Sequence, residues 1–163
     1  TTILTNGQIV DVIVTNAGGC SATSPGIANT VIALPVPTLT SSDADNSFCA
    51  GTSVTFTAGG GTNYNFRVNG VSVQNGASTS YTTTAITNGQ VVDVIITNIS
   101  TCTASSIGIT NTVNALPVPI LTSSDADNTI CAGSSVTFTT GGGTNYNFSI
   151  TGISLQNGAS APS

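Results

Sequence analysis

The sequence contains no histidine, lysine, glutamate, methionine or tryptophan, and Arg67 is its one basic residue. Without these side chains the many serine and threonine hydroxyls lack the groups that activate nucleophiles, so we expect no catalytic residues and no enzyme activity. The six acidic residues are all aspartates, and the net charge is −5. A chain with a single cation has no basic patch for nucleic-acid phosphates, which excludes nucleic acid as a partner.

Long hydrophobic runs are also missing. None approaches the roughly 18 residues of a membrane-spanning helix, so we expect no membrane insertion. Thr1 is not preceded by a methionine or a signal peptide, and we expect a mature or excerpted piece of a longer protein. Charged residues are only 4% of the chain. Such a surface has little electrostatic repulsion to keep copies apart, which favours self-association.

The chain is built from a repeat. Residues 34–51 (LPVPTLTSSDADNSFCAG) return 82 residues later as residues 116–133 (LPVPILTSSDADNTICAG). A period of this size indicates a modular repeat protein. On this offset, residues 34–81 match 116–163 at 35 of 48 positions, and residues 1–33 match 83–115 at 21 of 33. We therefore predict a C-terminal half-module (1–33), a complete module (34–115) and an N-terminal half-module (116–163).

Each module has the pattern of a β-sandwich. Apolar and polar residues alternate in several short segments, among them residues 91–96, where Val92, Val94 and Ile96 share one face. About seven such segments, with turn signals between them and no helical period, predict an all-β fold of tandem immunoglobulin-like antiparallel sandwiches of about 82 residues. Asn69-Gly70 predicts a hairpin, and the LPVP segments predict extended linkers or edge strands.

Two further turn motifs, and two tyrosines near glycine-rich turns, complete the sequence pattern. Asn-Gly at 88–89 predicts a hairpin turn before the strand that follows it. The glycine-rich residues 59–61 predict another hairpin turn, and no Lys-Ser or Lys-Thr follows to make a phosphate-binding loop. Tyr64 follows these glycines, and Tyr146 follows the equivalent glycines at 141–143. Both tyrosines are expected in the core, with carbohydrate stacking as the alternative.

The complete module contains Cys49 and Cys102. In an immunoglobulin-like sandwich we expect them at the same end of the two sheets, joined by a disulfide that stabilises the module by roughly 3–4 kcal/mol. Two cysteines without histidine cannot complete a zinc site. A structural disulfide indicates an oxidising, extracellular compartment.

The repeat makes Cys20 equivalent to Cys102, and Cys131 equivalent to Cys49. We hypothesise that successive copies complete each other along a fibre, with Cys131 bonded to Cys20 of the neighbouring copy. Two alternatives stay open. The chain is a window on a longer continuous polypeptide, or Cys20 and Cys131 pair within one chain in a closed, permuted module.

The SSDADN motif occurs at the start of each module and offers oxygen ligands. Its carboxylates and amides predict a Ca²⁺ site at module junctions, or alternatively a polar turn with side-chain capping. No other cofactor is expected. The residues concerned are Asp43, Asp45, Asn46, Asp125, Asp127 and Asn128.

The motifs CAGTSVTFTAGGGTNYNFRVNGVSVQNG and ITNGQVVDVIITN, followed by a cysteine, resemble the tandem immunoglobulin-like (PKD-like) repeats of giant Bacteroidetes cell-surface proteins. The resemblance implies a secreted surface adhesin or filament protein without catalytic residues. We therefore expect an extracellular structural filament or cell-surface stalk whose partner is itself. The alternative is an adhesin module that binds glycans or a surface.

Overall fold

The computed structural model describes residues 3–158; residues 1–2 and 159–163, the outer ends of the two predicted half-modules, lie outside it. Within the described range the regular structure is entirely β-strand. No helix there is long and apolar enough to cross a membrane. The chain divides into two compact units, Thr1–Asn114 and Ala115–Ser163.

The complete module is a two-layer antiparallel β-sandwich of immunoglobulin-like topology, as the sequence predicts. One sheet has the order β10-β7-β5, and the other has the order β12-β11-β8-β9, with β13 also pairing with β11. The strands are β5 (Thr38–Ser41), β6 (Ser47–Cys49), β7 (Val54–Gly59), β8 (Asn63–Val68), β9 (Val71–Gly76), β10 (Ser80–Thr83), β11 (Val91–Thr97), β12 (Thr103–Ser105), β13 (Ile109–Thr110) and β14 (Thr112–Asn114).

The core lies between these two sheets because each strand turns alternate apolar residues inward. The predicted inward face of β11 is fully buried at Val92, Val94 and Ile96. Phe66, on the neighbouring strand β8, and Phe56, on β7 of the opposing sheet, are also fully buried. Other buried apolar members are Phe48, Val54, Ala58, Tyr64 and Ile86.

The Asn69-Gly70 prediction is confirmed. Both residues have positive φ, and they connect β8 to β9 with Val68 opposite Val71. This is the geometry of a type I′ hairpin turn, which matches the twist of the flanking strands.

Two other hairpin predictions are wrong. The glycines at 59–61 join β7 in one sheet to β8 in the other, so they turn a corner between the layers. A Cβ on Gly60 would lie 2.0 Å from the carbonyl oxygen of Val36, which is why this corner needs glycine. The Asn88-Gly89 turn likewise joins β10 to β11 in the opposite sheet.

The two half-modules form only small separate sheets. In the first, β1 pairs with β4 and β2 with β3; in the second, β15 pairs with β16 and β17 with β18. Their strands are β1 (Ile9–Val10), β2 (Ile13–Thr15), β3 (Ser21–Thr23), β4 (Ile27–Ala28), β15 (Ile120–Ser123), β16 (Phe138–Gly141), β17 (Tyr146–Ile150) and β18 (Ile153–Gly158).

Candidate functional site

The first half-module exposes the face that the complete module buries. Val10, Val12 and Val14 are equivalent to the fully buried Val92, Val94 and Ile96, but they are 47%, 56% and 63% exposed. We call these three valines the first open face. The residue types are those of a buried strand such as β11, but no opposing sheet covers them among the described residues.

Local geometry in this half-module is nevertheless that of the complete module. The side-chain oxygen of Asn16 accepts hydrogen bonds from the backbone N–H groups of Gly18 and Cys20, as that of Asn98 does from Ser100 and Cys102. The turns therefore do not depend on an opposing sheet. The apolar side chains of Val10, Val12 and Val14 nevertheless stay exposed.

The second half-module has the complementary open face. Phe138 is 47% exposed, whereas its equivalent in the complete module, Phe56, is fully buried. Ile130, equivalent to the buried Phe48, is also exposed. A hollow of about 340 Å³ beside this face is lined in part by Ile120, Tyr146 and Phe148. We call Phe138, Ile130 and Phe148 the second open face.

The complete module shows which strands would join the two faces. There β11 pairs with β8 over six residues, from Val92 opposite Val68 to Thr97 opposite Asn63. The equivalent segments are residues 10–15 and 145–150. In the described chain, β17 within residues 145–150 pairs with β18 alone, so its other edge is unpaired. An unpaired strand edge is a template for strand addition.

The structure does not support the predicted Cys49–Cys102 disulfide. All four cysteines lie in the described part of the chain, and all are free. Cys49 is the register partner of Asn114, which lies near the end of the sandwich where β11 begins. Cys102 lies in the turn between β11 and β12, at the end where β11 stops. The length of β11 separates them by about 20 Å at roughly 3.3 Å per residue, far beyond the roughly 7 Å limit between bonded cysteine Cα atoms.

The two cysteines therefore mark opposite poles of the sandwich. The sequence-based placement at one end failed because β6 pairs with β14 in a parallel ladder, which carries Cys49 away from the β11–β12 turn. Cys20 and Cys131 occupy the equivalent positions. The same separation would thus apply to them in a module assembled from two halves, which argues against the predicted Cys131–Cys20 bond.

The aspartates of the first SSDADN motif form hydrogen bonds within their own turn. Asp43 Oδ1 and Asp45 Oδ1 both accept a hydrogen bond from the backbone N–H of Ser47, at 2.9 and 3.1 Å. Asn46 has a φ of 56°, a left-handed conformation that asparagine tolerates. These are the contacts of a side-chain-capped turn.

The second SSDADN motif repeats part of this arrangement. Asp127 Oδ1 accepts a hydrogen bond from the N–H of Thr129 at 3.0 Å, and Asn128 again has a φ of 56°. Asp125 donates its backbone N–H to Ser123 Oγ. Among residues 3–158, no three histidine, cysteine, aspartate or glutamate side chains come together as a metal site. Calcium binding stays a prediction.

The tyrosine expected in the core lies there. Tyr64 is buried, and its hydroxyl donates a hydrogen bond to the carbonyl of Gly61 at 2.7 Å. It is therefore not available to stack on a sugar. Tyr146 makes the equivalent bond to Gly143 and is half-buried in the incomplete half-module.

One side-chain contact with the linker was not predicted from the sequence. The side-chain amide of Asn98 donates to the carbonyl oxygen of Ala33 at 3.2 Å, which ties the turn before β12 to the linker entering the module. The signal was present: asparagine stands four residues before cysteine at both Asn16 and Asn98. Only the fold shows that this turn lies beside the linker.

No family model matches the chain, and no curated protein matches it. Among solved structures, the chain is similar to the fibronectin(III)-like modules of Clostridium thermocellum CbhA, with 15% sequence identity and a TM-score of 0.42. The match covers 64% of this chain and 60% of that chain. The strand order of residues 38–114 gives this part of the chain the fold of an immunoglobulin-like β-sandwich, and the repeat predicts further copies of it.

Proposed function

We propose that this chain is a structural component of an extracellular filament or cell-surface stalk. In it, the half-module at each end is completed by the complementary half of a successive copy. The observation that carries the proposal is the contrast between Val12 and Val94, equivalent residues of which one is 56% exposed and the other fully buried. Full burial of such a side chain stabilises by about 1.5–3 kcal/mol, so completion is favourable.

The two open faces are different and complementary. The first belongs to the strand that normally lies against β8, and the second belongs to a half-module that carries the equivalent of β8. Joining unlike faces is a heterologous contact, and such contacts generate open chains of subunits when the rotation does not close a ring. Strand addition between copies is a known mode of protein recognition.

The composition of the surface supports the same function. Charged residues make up only 4% of the chain, so there is little like-charge repulsion to oppose close association. The resemblance to Bacteroidetes surface repeats implies a secreted surface adhesin or filament protein, which agrees with this proposal. The adhesin alternative has less support, because the buried Tyr64 offers no aromatic platform for a glycan.

Assembly by the chain itself is the test. We expect residues 1–163 to form fibres in electron micrographs and to show a mass that rises with concentration in light scattering. The variant Val12→Asp should remain monomeric, because it places a charge in the completed core. A monomer at every concentration for the unaltered chain would contradict completion between copies.

Ala28→Asp is the matched control. It adds the same charge to the same half-module, but Ala28 is exposed and its equivalent, Thr110, is exposed in the complete module as well. We expect this variant to assemble like the unaltered chain. Loss of assembly in both variants would assign the effect to charge alone and contradict the role of the open face.

A further inference from the structure

The cysteine at one pole of the module lies beside the linker that leaves it. Cys49 is the register partner of Asn114, and the backbone N–H of Ala50 donates to the carbonyl oxygen of Asn114 at 2.8 Å. Paired strands lie about 4.8 Å apart. Cys49 is exposed. It is therefore an accessible thiol one strand away from Asn114, the last residue of β14.

The cysteine at the other pole lies beside the linker that enters the module. The N–H of Cys102 donates to Asn98 Oδ1 at 3.0 Å, and Asn98 Nδ2 donates to the carbonyl oxygen of Ala33 at 3.2 Å. A single carboxamide group thus bridges the backbone of Cys102 and the linker. By the repeat offset, Ala33 is equivalent to Ala115.

These two contacts converge at every junction of a tandem array. In one module, the loop after β6 is hydrogen-bonded to Asn114 through Ala50. In the next module, the asparagine equivalent to Asn98 would bind the residue equivalent to Ala33, which is Ala115. Asn114 and Ala115 are consecutive. Each junction therefore holds two cysteines, one from each module, anchored to consecutive residues of the chain just before the linker.

We infer that disulfides link successive modules across these junctions rather than closing each module. The inference rests on the proposed function, since completion between copies sets the order of the modules. In a fibre, Cys49 of one copy pairs with Cys20 of the next copy, and Cys131 pairs with Cys102 of the next copy. The four cysteines of one copy lie at four different junctions, which agrees with four free thiols in a single chain.

The bond requires an oxidant, and a small-molecule disulfide such as glutathione disulfide supplies it. The thiolate of one cysteine attacks the reagent and releases one glutathione thiolate, which leaves a mixed disulfide. The thiolate of the second cysteine then displaces the remaining glutathione. In total, two protein thiols give up two protons and two electrons, and one glutathione disulfide becomes two glutathione thiols.

The test is oxidation of assembled fibres with glutathione disulfide, followed by denaturing electrophoresis without reductant. We expect a ladder of covalent multimers that collapses to monomer when dithiothreitol is added. Cleavage before aspartate puts each cysteine on its own fragment, because Asp43, Asp93 and Asp125 separate the four in sequence. Mass spectrometry should then find Cys49 joined to Cys20 and Cys131 joined to Cys102.

Two double variants separate this inference from pairing within modules. Cys20→Ser with Cys49→Ser keeps Cys102 and Cys131, and we expect it to retain the ladder. Cys49→Ser with Cys102→Ser keeps Cys20 and Cys131, and we expect it to lose the ladder. The reverse result would restore the bond within each completed module and overturn the inference.

Electron microscopy of the reduced samples distinguishes the two proposals. Fibres that form under reduction but give no ladder after oxidation would overturn the junction disulfides and leave the filament intact. Absence of both fibres and ladder would overturn both. Fibres with the expected pair of linked fragments support both.

Discussion

Arg67 donates two hydrogen bonds to the carboxylate of Asp93, one from Nε to Oδ1 at 2.9 Å and one from Nη2 to Oδ2. The two residues are register partners on β8 and β11, and both side chains are about three-quarters buried. The equivalent of Arg67 in the second half-module is Ser149. The one cation of the chain thus forms an ion pair in the complete module, and the second half-module has no equivalent cation.

We expect Arg67→Ser to lower the free energy of unfolding of the module by about 1 kcal/mol, since a partly buried, two-point ion pair exceeds the value of an exposed one. Urea denaturation of the full chain measures this. The double variant with Asp93→Ser should recover part of the loss, because it removes the carboxylate that would be left unpaired. An unchanged midpoint for Arg67→Ser would show that the pair contributes nothing.

Phe56 and Phe138 occupy the same position in two copies, one buried and one on the second open face. We expect Phe56→Ala to destabilise the complete module by about 3–5 kcal/mol, through lost burial and a cavity. Phe138→Ala should leave that unfolding transition unchanged but weaken fibre assembly. Urea denaturation and light scattering on the same samples measure both effects. Equal destabilisation by the two changes would mean that Phe138 is already buried in the monomer.

Gly60 has a φ of 100° and no room for a Cβ, whereas Gly70 has a φ of 78° and nothing within 4 Å of that position. Gly70→Ala should therefore lower the free energy of unfolding by about 1–2 kcal/mol, the strain of a left-handed conformation. Gly60→Ala should have a clearly larger effect, because the added methyl group also displaces Val36 and the linker. Thermal unfolding of the two variants compares them directly. Equal effects would argue against a tight corner at Gly60.

A variant in the SSDADN turn distinguishes side-chain capping from calcium binding. Asp43→Ala removes one of two acceptors for the N–H of Ser47, and we expect a loss of about 1 kcal/mol, similar to that of a helix cap. We expect the loss to be the same with calcium and with a chelator, as measured by thermal unfolding. A calcium-dependent rise in the midpoint of the unaltered chain that disappears in this variant would establish a calcium site instead.

Local sequence signals predicted the parts of the fold that depend on near neighbours. The alternation through Val92, Val94 and Ile96 gave the buried face of β11 correctly, because strand periodicity fixes which side chains point inward. Asn69-Gly70 gave its hairpin because few other residues adopt two successive positive φ angles. The open faces could also be anticipated, since the repeat shows where each half-module is cut.

Features that depend on the path of the chain between the sheets could not be read in this way. The glycines at 59–61 carry the same signal whether the next strand lies in the same sheet or the opposite one. The poles of Cys49 and Cys102 depend on a parallel pairing between β6 and β14, strands more than 60 residues apart in the chain. Nothing in their local sequence records that contact.

The parallel pairing of β6 with β14 has a mechanical consequence. The linkers enter and leave the module at opposite poles, so tension along the proposed fibre would act parallel to the strands. Under that load the backbone hydrogen bonds of the ladder, from Thr112 opposite Ser47 to Asn114 opposite Cys49, are sheared together instead of unzipping singly. Shear of this kind would let a small module resist extension without a disulfide of its own, so backbone hydrogen bonds would supply the tensile strength of the proposed fibre.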